Sequence, residues 1–133
     1  MQKRTNAHLF LPGATTAPEG YYDGKEGHFL LPTGLTPSTA TEQPLGLVVE
    51  PRHHGADIAI PGGAAGTYTV KLAASPGAVA PGTTLVSNGD GTVKALPTAA
   101  GTYLALARAV ETGAASELVE AVLLPPTPIT IAA

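Results

Sequence analysis

The chain has 133 residues, one domain's worth, with no cysteine, no tryptophan and a formal net charge of −3. Without cysteine it can make neither a disulfide nor a thiolate metal site. With Lys3-Arg4 as the only basic cluster, it lacks the positive footprint that nucleic-acid partners require.

Charged residues make up only 13% of the chain, against about 25% in ordinary domains. The 16 glycines and 13 prolines suit short strands joined by many tight turns. After Lys3-Arg4 only Ala7, Leu9, Phe10 and Leu11 precede Pro12, too little for the apolar stretch of a signal peptide. No window approaches the roughly 18 apolar residues of a spanning helix, so the expectation is a soluble protein without membrane partners.

Residues 1–44 are rich in Thr, Pro and Gly and break every short apolar group; residues 1–19 read as an N-terminal arm. Regular patterning begins with an apolar run over 45–50 that Pro51 closes. Residues 56–60 put Ile58 and Ile60 on one face before the turn signal at 61–66. Over 67–73, Tyr68, Val70 and Leu72 alternate with Thr67, Thr69 and Lys71. Two short strands over 83–87 and 92–96 flank Asn88-Gly89-Asp90-Gly91, whose residues take positive φ cheaply, and predict a hairpin.

Residues 102–110 are apolar on both faces, as in a strand buried on both sides. Residues 117–124 allow helix or strand; strand is preferred because Gly113 and Pro125 bound the run at strand length. The Pro-rich end, 125–133, reads as an extended tail, with Ile129 and Ile131 on one face of a segment suited to docking on another surface. Ala-Ala-Gly-Thr-Tyr occurs twice, ending at Tyr68 and Tyr103, each time opening an apolar run.

Catalytic chemistry needs convergent polar groups, and the candidates are few. His53-His54 with Asp57 is the most enzyme-like cluster, with His8 or His28 as further metal ligands. Adjacent residues on an extended strand point to opposite faces, however, so a solvated turn is preferred. Glu117 and Glu120 are an acidic pair close in sequence, but three positions apart on a strand they face opposite ways. Ser38, Ser75, Ser87 and Ser116 all sit in turn-like contexts outside G-x-S-x-G. The 88–91 loop lacks the closing Glu of a calcium loop, and 61–66 lacks the Lys-Ser/Thr of a phosphate loop. Tyr21-Tyr22 offers aromatic faces for sugar, or an anchor for the N-terminal segment. No catalytic, cofactor-binding or metal residue is assigned, and no cofactor is expected.

Four segments carry a resemblance: Gly46-Leu47-Val48, then Pro81-Gly82-Thr83, then Leu104-Ala105-Leu106-Ala107-Arg108-Ala109, and a closing run from Val119 to Leu124. Their order resembles the capsid decoration, or head cement, proteins of tailed bacteriophages. The resemblance covers 45–124 and leaves 1–44 and 125–133 unmatched. It implies a non-enzymatic structural protein that binds the outer surface of a phage head and stabilises it. Its partners would be the major capsid protein and further copies of itself, a trimer being preferred over a dimer. It would reside on the virion capsid surface, and in the host cytoplasm during assembly. The competing class is a surface or carbohydrate-binding module of a virion appendage.

The expectation is therefore an all-β, small single-domain sandwich or barrel-like fold with extended terminal arms. Residues 1–19 would be the N-terminal arm, 20–124 the β-rich decoration domain and 125–133 the Pro-rich C-terminal tail.

Overall fold

The computed structural model describes residues 8–60 and 67–132, and these form an all-β fold of two antiparallel sheets. The strands are β1 (His8–Pro12), β2 (Phe29–Leu30), β3 (Gly46–Arg52), β4 (Gly55–Ala59), β5 (Tyr68–Lys71), β6 (Thr84–Ser87), β7 (Val93–Ala95), β8 (Gly101–Ala109) and β9 (Leu118–Ile131). The four-stranded sheet runs β1-β4-β3-β2 and the five-stranded sheet β5-β9-β8-β6-β7. The turn expected over 61–66, the first half of one Ala-Ala-Gly-Thr-Tyr copy and residues 1–7 of the expected arm lie outside the described residues.

The five-stranded sheet curls almost into a barrel. Leu72, just past β5, forms a parallel bridge with Val93 of β7, and the Ala73 N–H donates to the Val93 carbonyl at 2.9 Å. Alternation puts Val70, Leu85, Val93, Leu106, Val119 and Ala121 inside this curl, all essentially buried. Phe29 and Leu47, from the other sheet, join the same core.

β3 and β4 divide their side chains between two cores. Leu47 and its partner Ala59 face the barrel core, whereas Val48 and its partner Ile58 face a second core with Tyr22, Leu30 and Ala56. The segment between β1 and β3, whose one strand is β2, covers that second face. Tyr22 anchors it: the ring is 1% exposed, its hydroxyl donates to the Gly34 carbonyl at 2.7 Å, and it accepts the Ala14 N–H at 2.9 Å. The turn-rich first third is thus a packed layer.

A short strap at 25–29 joins the two sheets. The Gly27 N–H donates to the Val48 carbonyl at 3.0 Å, the Lys71 N–H to the Gly27 carbonyl at 2.9 Å, and the Phe29 N–H to the Gly91 carbonyl at 2.8 Å. At Gly27 φ is +79° and an added Cβ would lie 2.6 Å from Leu118 Cδ2, so only glycine fits.

Four prolines sit inside strands, contrary to the expectation that Pro51 and Pro125 would each end one. Pro51 lies within β3, Pro12 closes β1, and β9 runs through Pro125, Pro126 and Pro128. Proline lacks only its donor, so a strand tolerates it where the nitrogen points out of the ladder. The two-residue hairpin at His53-His54 pairs Arg52 with Gly55, which makes Pro51 opposite Ala56 a non-hydrogen-bonded position.

The structure also differs from the expected free ends. Residues 8–12 pair with β4 in the four-stranded sheet, and 127–131 pair with 101–105 of β8. The second half of β9 therefore continues the ladder, after a register shift opposite Ala105–Ala107. The strands expected over 45–50, 56–60, 67–73, 83–87, 92–96 and 102–110 form within a few residues at their ends, and that expected over 117–124 forms but runs on to Ile131. The β6–β7 hairpin pairs Ser87 with Val93 across the predicted loop.

Candidate interaction surface

The polar candidates are dispersed and engaged. His53 and His54 are exposed at the tip of the β3–β4 hairpin. Asp57 accepts a hydrogen bond from Arg52 Nε at 3.1 Å, across the same hairpin. His28 lies apart, in the strap, half-buried against the β6–β7 loop; no group of three or more His, Asp or Glu with metal-binding geometry occurs among the described residues.

Glu117 accepts the Ala114 N–H at 2.7 Å and so closes its own turn, whereas Glu120 accepts the Thr67 hydroxyl from the neighbouring strand. The two carboxylates serve separate contacts, as expected from their spacing. Ser38 donates to Glu42, and the Ser87 hydroxyl accepts the Gly89 N–H at 3.2 Å. In the 88–91 loop, Asp90 accepts bonds from Thr92 N–H, the Thr92 hydroxyl and Asn88 Nδ2. Burial pushes the Asp90 carboxyl up, but these bonds outweigh it and hold the group below the usual range. Burial lowers the His28 imidazole, against the opposing pull of the Glu26 and Lys25 carbonyls.

The tyrosine pair is structural. Tyr22 is buried and unavailable to a sugar, while Tyr21 packs edge-on against it, lies under Lys25 Nζ at 4.6 Å and accepts the Thr36 N–H at 2.9 Å. Tyr68 and Tyr103, the echoed pair, both enter strands that flank β9, opposite Ala121 and Ile129 respectively. Tyr103 donates to the Ala99 carbonyl at 2.9 Å, and its ring covers Gly101.

What remains exposed is apolar and lies on strands. On β9, Leu118 is 44% exposed and Val122 39%; they share the outer face because inward neighbours Val119, Ala121 and Leu123 alternate with them. Val110 at the end of β8, 43% exposed, donates its N–H to the Glu120 carbonyl between them. Thr69 and Lys71 of β5 pair with Glu120 and Leu118 and extend this face, and Arg108 pairs with Val122 on its other side. The result is an outer face on which exposed Leu118, Val122 and Val110 surround half-buried Glu120, with Thr69, Lys71 and Arg108 on its flanks. Leu9 and Phe10 on β1 are also exposed, on opposite faces of the four-stranded sheet.

Ile129 and Ile131, expected to dock elsewhere, are half-buried on β9 opposite Tyr103 and Gly101 of the same chain. The Leu118–Val122 segment was legible as an apolar run, but not as a surface, since burial on one face depends on which sheet covers it. No protein-family model matches this chain, and a search of curated proteins found no similar sequence.

Proposed function

We propose that this chain is a structural capsid decoration protein, a non-enzymatic β-rich module of sandwich or barrel-like form that binds the outer surface of a phage head and stabilises it. The observation that carries the reading is the set of exposed aliphatic side chains, Leu118, Val122 and Val110, grouped around Glu120 on the outer face of the five-stranded sheet. Partly exposed aliphatic side chains held on rigid strands and rimmed by Thr69, Lys71 and Arg108 suit docking on a protein shell. The intramolecular engagement of Asp57, Asp90, Glu117, Glu120 and the serines at 38 and 87 supports the same reading, because it leaves these groups tied into turns and hairpins. The four segments that resemble the decoration family lie in or beside β3, β6, β8 and β9. In this reading the major capsid protein is the partner, the capsid surface of the virion is the location, and several copies act together on the shell.

The test uses purified protein and undecorated tailed-phage heads, scored by co-sedimentation and by the temperature at which heads rupture. Binding with a raised rupture temperature is expected. Leu118→Lys and Val122→Lys should reduce binding at least tenfold while changing the protein's own stability by less than about 0.5 kcal/mol, as for exposed positions. Failure of the parent protein to bind any head, or full binding by both lysine variants, overturns the assignment.

A further inference from the structure

A sheet edge offers its unpaired N–H and C=O groups to a further strand, and the edges of this molecule differ in what they offer. β2 has only two residues. β5 has already given the Lys71 N–H to Gly27, and β7 closes onto Leu72. The outer edge of β9 carries Pro126 and Pro128, which have no N–H to give. The far edge of β8 is free of β6 only over 101–104, where Leu104 is buried and Thr41 lies against the strand.

β1 is different. The Gly13 N–H donates to the His54 carbonyl at 3.2 Å, in the register that pairs Leu11 with Ala56 and Leu9 with Ile58. Hydrogen bonding alternates along an antiparallel pair, so Leu9 and Leu11 bond to β4, while His8, Phe10 and Pro12 turn their backbone groups outward. His8 and Phe10 thus present two N–H and two C=O groups at an edge with no strand beyond it among the described residues. Beside them Leu9 is 39% exposed and Phe10 50% exposed, and residues 9–12 carry no charge, the usual guard of an edge strand.

We propose that β1 is a self-pairing edge: two copies of this protein join their four-stranded sheets through an antiparallel β1–β1 contact centred on Leu9. The donor pattern favours a second copy as occupant. With His8 opposite Phe10 of the second copy, every outward N–H meets a C=O, and Pro12 stays outside the ladder. The two Leu9 side chains then face each other across the two-fold axis, in the closer, non-hydrogen-bonded type of pair. With no charge at 9–12, two identical strands meet without repulsion. This contact stands apart from the capsid reading and holds whether or not the chain binds a shell.

The absence of cysteine makes the pairing directly readable, because any disulfide reports the position of one introduced thiol. Leu9→Cys is expected to cross-link into dimers at least tenfold faster than Phe10→Cys, since only residue 9 meets its own copy, at a separation a disulfide spans. In sedimentation the parent protein should be a dimer that dissociates on dilution. Leu9→Lys should be monomeric at the same concentration, as should Phe10→Pro, which removes one outward N–H and leaves the bonds of Leu9 and Leu11 to β4. Circular dichroism confirms that each variant is folded; should Phe10→Pro unfold, Leu9→Lys carries the comparison. A parent protein that stays monomeric to millimolar concentration overturns the proposal. A dimer that survives Leu9→Lys, or Phe10→Cys cross-linking as fast as Leu9→Cys, overturns it equally.

Discussion

Removing one oxygen atom from Tyr22 tests whether the turn-rich first third is a packed layer. In Tyr22→Phe the ring keeps its place, 1% exposed among Leu30, Val48, Ala56 and Ile58, so no cavity of consequence forms. Two backbone groups lose their partner: the Gly34 carbonyl, bonded at 2.7 Å, and the Ala14 N–H, bonded at 2.9 Å. A buried polar group left unpaired costs about 1–3 kcal/mol. Gly34 is buried and bears the full cost, whereas half-buried Ala14 can recruit water and bears less. The expected loss is therefore about 2–4 kcal/mol. For a chain of this size, about 3–4 °C of Tm accompanies each kcal/mol, so Tm should fall by about 7–15 °C. Urea denaturation should show a lower midpoint with an unchanged slope, because the surface exposed on unfolding is the same. Tyr21→Phe serves as the comparison: its hydroxyl bonds Thr36 in a half-buried setting, and the loss should be nearer 1 kcal/mol. A loss below about 0.5 kcal/mol for Tyr22→Phe would refute the reasoning, since the hydroxyl could not then be bridging two loop segments of a buried layer.

Gly27→Ala should cost about 3 kcal/mol or more in denaturant titration, because the new methyl meets Leu118 Cδ2 at 2.6 Å and the Lys71 nitrogen at 2.9 Å at a φ of +79°. Stability should fall on acidification in two stages. Burial holds the folded pKa of His28 below the ordinary histidine value of 6.5, so the unfolded chain binds that proton first and stability drops as pH falls below 6.5. Asp90 is held below 3.8 and Glu42, by its Ser38 and Thr39 bonds, below 4.5, so their contributions are present above those values and are lost as pH falls through the folded ones. Urea midpoints against pH, with His28→Gln removing the upper stage and Asp90→Asn reducing the lower, check both signs. Pro128→Val should restore an outward N–H to the β9 edge and increase self-association in light scattering, without loss of the β8–β9 pairing.

Local pattern alone determined much of this protein. Alternation of Tyr68, Val70 and Leu72, the Asn-Gly-Asp-Gly loop and the two-faced apolar run of β8 each describe a strand or hairpin through interactions within a few residues. An all-β fold follows from such pieces. Tertiary structure decided the rest, because it depends on which neighbour lies alongside. Proline reads as a terminator in sequence, yet whether Pro51 or Pro128 breaks a ladder depends on which side its nitrogen faces, and only the partner strand sets that. Tyr21 and Tyr22 are equivalent in composition; one is half-buried and the other buried because the second core, made from β3 and β4, lies beneath Tyr22. Ile129 and Ile131 have the pattern of a docking strand, and the dock is β8 of the same chain, brought there by a ladder that begins at Ala109 opposite Ala121. Leu118 and Val122 alternate as well as any core residues, yet they are on the outer face of the five-stranded sheet, where among the described residues only the strap at Gly27 comes against Leu118.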